Sequence, residues 1–370
     1  MIGGDYRGLG VVRSLGRHGI PVWALTDEHR LAARSRYSRR NFPWPQGNAD
    51  EQAAFLLELA RKYDLEGWLL IPTGDETSAF VSRQHDLLSQ TYTLTTAPWD
   101  VFRWAYDKRL MNELADRCDI ERPKTWHPKS ADDLAQLDVT FPVILKPAFK
   151  TTMNAFTISK AWRIESRNEL ITRYAEALDH AEPEAVMVQE IVVGGGDTQL
   201  SYAVLADEGR VKASITAQRT RQYPMDFGRA STFVETVADI QVEVAARKLI
   251  ESMAFTGLVE VEFKRDTRDG QLKLLDINPR VWGWHSIGPR AGVDFSYLLW
   301  RQCFGLEIEE IRAKPGIRWV RGLTDFPTVA KEIRAGHLGL FSYLRSLRPP
   351  LEWAILAVDD PIPAIVEVPE

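Results

Sequence analysis

Residues 257–263 read Gly-Leu-Val-Glu-Val-Glu-Phe, and residues 274–280 read Leu-Leu-Asp-Ile-Asn-Pro-Arg. Apolar residues alternate with acidic or polar ones in both runs. Successive side chains of a β-strand point to opposite faces, so Glu260 and Glu262 should share one face of the first strand, away from its apolar residues. The pattern therefore predicts two strands that are each apolar on one face and polar on the other.

The second run is predicted to place Leu275 and Ile277 on one face and Asp276 and Asn278 on the other. The Asp-Gly pair at 269–270 is a strong turn signal, so we expect the two runs to form a hairpin. Like charges gathered on one face repel each other unless a cation lies among them. A hard divalent cation with oxygen ligands is one interpretation, and the solvated outer face of an edge hairpin is the other.

The composition is ordinary for a globular enzyme. The 370 residues are 45% hydrophobic and 26% charged, and the length allows two or three domains. A net charge of -5 without a basic tract argues against a nucleic-acid partner. Cys118 and Cys303 offer no disulfide framework, which favours the cytoplasm. No apolar run is long enough to span a membrane, and no signal-peptide pattern is present.

Strands and helices alternate in the N-terminal third, which predicts a parallel α/β sheet. The predicted strands are Gly19–Leu25 and Trp68–Ile71, and Asp50 is predicted to cap a helix over Ala53–Lys62. The loop Gly3-Gly4-Asp5 should follow the first strand, yet only two residues precede it. This predicts a shortened first strand or a late start site.

Two loops of this region are candidate ligand sites. The spacing of the Gly3-Gly4-Asp5 loop does not fit G-x-G-x-x-G, but the loop precedes a predicted helix whose N-terminus suits an anionic substrate. A tight turn without a ligand is the alternative. Residues 72–76 form a second loop at the end of a strand, where open α/β sheets bind ligands; Asp75 is alternatively a helix cap.

The middle of the chain predicts further strands and helices. They are a helix over Trp99–Cys118, a strand over Phe141–Leu145 that closes with Lys146, a strand over Val186–Val193 and a helix over Val242–Met253. A lysine that closes an apolar strand needs an anionic partner or a path to water. The sequence contains no G-x-x-x-x-G-K-[ST] phosphate loop.

The order of these elements resembles the ATP-grasp superfamily of carboxylate–amine and carboxylate–thiol ligases, over nearly the whole chain. The resemblance implies an α/β protein, α+β in its ATP-grasp part. Residues 1–97 would form an N-terminal Rossmann-like pre-ATP-grasp domain and residues 98–313 a two-lobed ATP-grasp domain. The small lid lobe is expected over about 123–193 and the metal and substrate lobe over about 194–313, with a C-terminal extension over 314–370.

The resemblance also implies a site for ATP with Mg²⁺ or Mn²⁺. The implied nucleotide-binding residues are Lys108, Lys146, Glu190, Ile191, Val193 and Asp197. The two alternating strands match the family's metal-binding strands, which would make Glu262, Asp276 and Asn278 the metal ligands, with Arg280 reaching phosphate or substrate.

Two features depart from the family pattern. The family usually has glutamate at the position of Asp276, so the charge is kept but the reach is shorter. The loop that follows Lys146 is usually glycine-rich, whereas residues 148–156 contain no glycine; Lys150, Thr151 and Thr152 are its alternative hydrogen-bond donors.

The implied activity is an ATP-dependent ligase that activates a small-molecule carboxylate as an acyl phosphate and joins it to an amine, releasing ADP and phosphate. Arg219 and Arg221 are candidate clamps for the substrate carboxylate, since arginine suits bidentate contacts; exposed arginines on a strand are the alternative. A bicarbonate-using carboxylase and a non-catalytic nucleotide-binding protein stay open as functions.

Within the superfamily, residues 276–284 and the tail at 359–363 look most like a bacterial group that is similar to D-aspartate ligases. This likeness implies small-molecule carboxylate and amine substrates. We expect neither nucleic acid nor a membrane span, and a homodimer is a further expectation.

Overall fold

The computed structural model describes residues 1–148, 156, 161–223, 225, 228 and 230–367. The helices in this part are α1 Tyr6–Arg17, α2 Ala49–Tyr63, α3 Asp75–Arg83, α4 His85–Leu88, α5 Trp99–Tyr106, α6 Lys108–Arg117, α7 Ala131–Gln136, α8 Arg167–Leu178, α9 Ile240–Ser252, α10 Gly288–Ala291, α11 Phe295–Cys303, α12 Gly322–Arg334, α13 Leu340–Ser346 and α14 Ile362–Val366. The strands are β1 Val22–Thr26, β2 Ser38–Pro43, β3 Leu69–Leu70, β4 Thr93–Leu94, β5 Thr125–Trp126, β6 Val143–Pro147, β7 Trp162–Ile164, β8 Val186–Glu190, β9 Gln199–Asp207, β10 Arg210–Tyr223, β11 Ala230–Thr236, β12 Gly257–Arg265, β13 Leu272–Asn278, β14 Ile311–Arg312, β15 Arg318–Val320 and β16 Leu351–Trp353.

The N-terminal third has the parallel α/β arrangement that its alternating pattern predicts. β1 pairs with β2 and β3 with β4, in both cases parallel. Ile2 makes only isolated parallel bridges, to Leu25 and to Pro72, so it joins the two strand pairs in place of a full first strand. Gly3 then turns with a φ of 130°, a conformation that favours glycine, and leads into α1.

Two predicted helix boundaries are wrong. α2 is capped by Asn48 rather than by Asp50. The Asn48 side chain accepts hydrogen bonds from the backbone amides of Asp50 and Glu51 in the first turn, and the Glu51 side chain completes a capping box. The helix predicted over Trp99–Cys118 is two helices. Asp107 is extended between them, and its side chain accepts a hydrogen bond from the Arg109 amide at the start of α6.

The largest sheet carries the alternating hairpin near one edge. Its strand order is β13-β12-β9-β10-β11-β15-β16, with β14 beside β10. One face packs on α9, where Val259 and Val261 of β12 meet Leu249. The other face packs on α1 and on Trp282 and Trp284. The polar side of the hairpin therefore faces the N-terminal part of the chain.

A second, four-stranded sheet lies in the region predicted as the lid lobe. Its order is β5-β8-β6-β7, and all its neighbours are antiparallel. β8 ends at Glu190, three residues earlier than predicted. The mixed α/β class is confirmed, whereas the domain boundaries stay a prediction. Within the described residues, no helix has the length and apolar character needed to cross a bilayer.

Two aspartates near the C-terminus, Asp359 and Asp360, form hydrogen bonds and ion pairs with α1. The buried carboxylate of Asp360 accepts hydrogen bonds from Arg13 Nε at 2.9 Å, from Ser35 Oγ at 2.7 Å and from the Arg36 amide at 2.9 Å. Its neighbour Asp359 pairs with Arg17 at 2.8 Å. The final segment thus holds α1 against the strands that follow it.

Asp360→Ala should lower the free energy of unfolding by about 3–5 kcal/mol, because it leaves the Arg13 guanidinium, only 6% exposed, without its buried partner. The matched variant Asp359→Ala removes a carboxylate that is 42% exposed and should cost about 1 kcal/mol or less. Urea denaturation at pH 7 measures both. Equal losses in the two variants would contradict the buried-pair explanation.

Candidate active site

The hairpin gathers its polar side chains on one buried face. Glu262 lies opposite Asp276 across β12 and β13, and Glu260 lies opposite Asn278. All four residues are at most 8% exposed. The interpretation as a solvated outer face is therefore wrong.

A β-bulge at Leu275 alters the predicted alternation. Glu262 pairs with Asp276 and Phe263 pairs with Leu274, so Leu275 is the extra residue. Leu274 rather than Leu275 lies with Ile277 in the core. The prediction that Leu275 shares the core face is wrong, because Leu275 is the unpaired residue of the bulge and the in–out alternation of side chains resumes at Asp276.

Two cations neutralise the carboxylates of this face. The Lys108 ammonium, at the start of α6, lies 2.8 Å from Asp276 Oδ1. Arg219 on β10 donates to Glu262 Oε2 at 2.5 Å, and Asn278 Nδ2 donates to Glu262 Oε1 at 2.8 Å. Buried charges are tolerated when they are paired in this way. The break at Asp107 puts Lys108 in reach of the hairpin.

Glu260 has a strongly raised pKa. Burial, followed by the charge of Glu262, raises the pKa of Glu260 to about 7, although Arg219 and Arg280 oppose this rise. The indole Nε1 of Trp284 donates to Glu260 Oε1 at 2.9 Å. Glu260 is thus oriented by the loop that follows β13 and is held in a dry environment.

Arg280 connects the hairpin to the N-terminal loops. Its Nε donates to Asp75 Oδ1 at 2.7 Å and its second nitrogen to Asn278 Oδ1 at 3.2 Å. Burial alone would lower the pKa of Arg280, but the Asp75 carboxylate holds it above its ordinary value. Arg7 at the start of α1 is paired with Asp5 and feels the repulsive charge of Arg280. Both N-terminal loops therefore reach this site.

The segment that carries the predicted nucleotide-binding residues Glu190, Ile191 and Val193 contacts the turn of the same hairpin. Glu190 Oε1 accepts a hydrogen bond from Lys273 at 2.9 Å. The Ile191 carbonyl accepts from the Arg268 guanidinium at 3.3 Å, and the Val193 carbonyl accepts from the Thr267 amide at 3.0 Å. Asp197 follows on an exposed 3₁₀ turn over Gly196–Thr198.

Arg219 and Arg221 do not act as a pair. Arg221 Nε and a terminal nitrogen donate to the two oxygens of Asp325 on α12, at 2.8 and 2.9 Å, and the guanidinium lies over the Phe233 ring. Its remaining nitrogen donates to Ser346 Oγ at 3.1 Å, so all three nitrogens of Arg221 are engaged, whereas Arg219 donates to Glu262 through one nitrogen. We therefore correct the expectation that Arg221 clamps a substrate. The alternative that both arginines are exposed is also wrong, since each is less than 9% exposed.

Lys146 lies on β6 opposite Met187 of β8 and is half-buried. The donors predicted in the loop that follows it, Lys150, Thr151 and Thr152, lie outside the described residues.

The donor set suits a hard cation. Glu262, Asp276 and Asn278 offer carboxylate and amide oxygens, which Mg²⁺ and Mn²⁺ prefer. The described part of the chain contains no cluster of three or more His, Cys, Asp and Glu residues arranged to hold a metal ion. The three-residue set contains two carboxylates, so water or phosphate oxygens would complete the coordination shell of the ion.

Several residues of the site had no signal in the sequence. Arg7 lies just after the glycine loop, and Asp75 follows a strand, but no spacing indicates that either faces Arg280. Trp284 bonds Glu260 through a loop geometry that tryptophan content does not predict. Glu260 had a signal of its own, since it alternates in phase with Glu262. The loops at residues 3–5 and 72–76 were candidate ligand sites, but nothing in the sequence indicated that they approach Arg280.

Glu260→Gln should become more stable relative to the unmodified protein as the pH rises from about 4.5 to 7. The native pKa exceeds the unfolded value, so the native state binds more protons in this window and loses stability as the pH rises. Glutamine cannot ionise, and the relative gain should reach about 3 kcal/mol at most. Urea unfolding with EDTA at several pH values measures it.

The exposed Glu310→Gln serves as the control for this comparison. A stability difference for Glu260→Gln that stays constant between pH 4.5 and 8 would contradict the raised pKa of Glu260.

The chain is similar to known proteins in the region that contains the site. Residues 183–325 match a family model described as ATP-grasp in the biosynthetic pathway with Ter operon. D-aspartate ligase from Enterococcus faecium is 23% identical over 224 residues, which cover 58% of this chain and 53% of that protein. The chain thus spans about half the length of this curated relative.

Solved structures match most of the chain. The L-amino acid ligase from Bacillus licheniformis has a TM-score of 0.63 at 13% identity, covering 82% of this chain and 72% of that one. The biotin carboxylase domain of Hydrogenobacter thermophilus 2-oxoglutarate carboxylase, solved with MgADP and bicarbonate, has a TM-score of 0.66 at 14% identity, covering 86% and 72%. These likenesses show the fold, and the predicted resemblance is confirmed.

Proposed function

We propose that this chain, which has the ATP-grasp fold, is an ADP-forming ligase that activates a small-molecule carboxylate with ATP and joins it to an amine. The observation that carries the proposal is the buried face on which Glu262, Asp276 and Asn278 meet Lys108 and Arg219. Cations and oxygen ligands at such close range suit a polyphosphate and its metal ion. The similarity to D-aspartate ligase and to L-amino acid ligase supports the carboxylate–amine class.

The chemistry explains why a site of this kind needs no nucleophilic side chain. A carboxylate is a poor acylating agent because its leaving group would be oxide. If the substrate carboxylate attacks the γ-phosphorus of ATP, ADP leaves and an acyl phosphate forms. An amine then attacks the acyl carbon, phosphate leaves with the bonding electrons, and the amine loses a proton. The protein mainly positions the reactants, supplies opposite charge and excludes water.

Each residue of the face receives a proposed role. Glu262, Asp276 and Asn278 would hold Mg²⁺ or Mn²⁺, which would offset the charge of the transferring phosphoryl group. Lys108 and Lys146 would contact the phosphates of ATP. The Lys108 ammonium is paired with Asp276 in the structure. A metal ion bound to Asp276 would take over this carboxylate, and the ammonium could then contact the phosphates.

The remaining proposed roles concern the nucleoside of ATP and the carboxylate substrate. Glu190, Ile191 and Val193 would bind adenine, and Asp197 would bind the ribose. Arg219 and Arg280 would bind the substrate carboxylate or the acyl phosphate, because guanidinium groups bind oxyanions with two donors.

A bicarbonate-using carboxylase is the second candidate, because the biotin carboxylase domain with MgADP and bicarbonate shares the fold. Phosphate release from ATP, measured over pooled amino acids with and without bicarbonate, separates the two. Release that requires two amino acids supports the ligase. Release that requires bicarbonate alone supports the carboxylase. Absence of release, together with no rise in melting temperature on adding Mg-ATP, counts against both.

Lys146→Ala and Asp276→Ala should each reduce phosphate release by about 100-fold or more, since each removes a charge proposed to act on the triphosphate or its metal ion. The surface variant Lys212→Ala should keep full activity, because its pair with Asp207 lies at the protein surface. Circular dichroism checks the fold. Wild-type turnover in Asp276→Ala would refute the metal assignment.

Arg219→Ala should raise the KM of the carboxylate substrate about tenfold or more above any change in the KM of ATP, because the proposed charge-assisted contact is made to that carboxylate. The variant should also lower the free energy of unfolding, since Glu262 loses a buried partner. Initial rates with each substrate varied in turn measure this. Arg221→Ala is the comparison, and its pairing with Asp325 predicts lower stability without a selective change in KM. Equal changes in both KM values would remove Arg219 from the substrate site.

A further inference from the structure

The hairpin directs one more cation, Lys273, to its polar face. Lys273 and Asp276 are three residues apart, so in a regular strand their side chains would point to opposite faces. The bulge at Leu275 removes this difference. Lys273 lies opposite Lys264 and Asp276 lies opposite Glu262, which places Lys273 on the face of the proposed metal ligands. Bulges re-aim side chains in this way beside active sites.

Lys273 is held where the hairpin meets the proposed adenine-binding segment. Its side chain is 10% exposed, and its ammonium donates to Glu190 Oε1 at 2.9 Å and lies 3.3 Å from Asp266 Oδ2. The neighbouring turn also bonds the Ile191 and Val193 carbonyls. Three contacts from one hairpin therefore fix the position of this segment.

The pairing leaves Glu190 able to bind a ligand. Lys273 takes only Oε1, and Oε2 accepts no hydrogen bond from any described residue. An ionised carboxylate can only accept hydrogen bonds. At carbon 6 of the purine ring, adenine carries the N6 amino group, which donates hydrogen bonds, whereas guanine carries O6, which accepts them.

We propose that Lys273 is a positioning residue that keeps Glu190 as a fixed acceptor and thereby makes the site select ATP over GTP. The inference rests on the proposed nucleotide site at this segment. It also gives β13 two tasks. One end of the strand orients the acceptor for the base, and Asp276 and Asn278 at the other end face the phosphates and metal ion, roughly 10 Å further along at 3.3 Å per residue.

Isothermal titration of the full chain with MgATP and with MgGTP, without a carboxylate substrate, tests this proposal. The unmodified protein should bind ATP at least about tenfold more tightly than GTP, and Lys273→Met should lose most of this ratio. Lys273→Arg should restore it, because arginine also donates to the Glu190 carboxylate. Lys212→Met, on β10 and paired with Asp207 at the surface, is the matched control and should keep the ratio.

Glu190→Gln offers a second route to the same result if Lys273→Met does not fold. The glutamine amide can donate to O6 of guanine, so this variant should also lower the ratio of ATP to GTP affinity. An unchanged ratio in a folded Lys273→Met protein overturns the proposal, and so does an equal loss of affinity for both nucleotides, which a purely structural role would produce. If the unmodified protein binds neither nucleotide, the proposed function fails and this inference fails with it.

Discussion

The pairing of buried carboxylates with buried cations is the constraint on which the rest of this structure depends. An unpaired charge in such a place costs several kcal/mol, so each acidic side chain of the hairpin needs a partner from elsewhere in the chain. Lys108 comes from the start of a helix and Arg219 from a central strand. Arg280, from the loop after the hairpin, pairs in turn with Asp75 of the N-terminal part. Their convergence fixes these three elements relative to one another. A set of positive groups held in this way is suited to receive the negative charge of a polyphosphate without further rearrangement.

The two-residue repeat of strand side chains was the main feature of the sequence that predicted the candidate site. It placed Glu260 and Glu262 on one face, because a strand has a strict two-residue repeat and a core on one side enforces it. It failed at Leu275, because a bulge inserts one residue without changing the composition of the strand. The resemblance indicated which polar residues belong together, and the structure brings Glu262, Asp276, Asn278 and Lys108 into contact.

Other errors arose where several residues compete for one hydrogen bond or one partner. Asn48 caps α2 although Asp50 is an equally good capping residue type, since the register of the helix decides between them. Arg219 and Arg221 are two residues apart on β10, yet they pair with different carboxylates, because the register with β11 shifts before Arg221 and Asp325 comes from a distant helix. Local sequence records propensity and period, but it does not record which remote element packs beside a given side chain.

The tail has a consequence for how the chain folds as it is synthesised. Arg13 and Asp360 are separated by 347 positions, and Arg13 is buried only in the company of that carboxylate. The ribosome releases α1, which carries Arg13, long before it releases Asp360. Domains generally fold in the order of synthesis. The Arg13 guanidinium therefore stays hydrated until Asp360 is available, and its burial is completed only then. The burial of Arg13 thus depends on the segment around Asp360, and a product truncated before Asp360 would lack this pair.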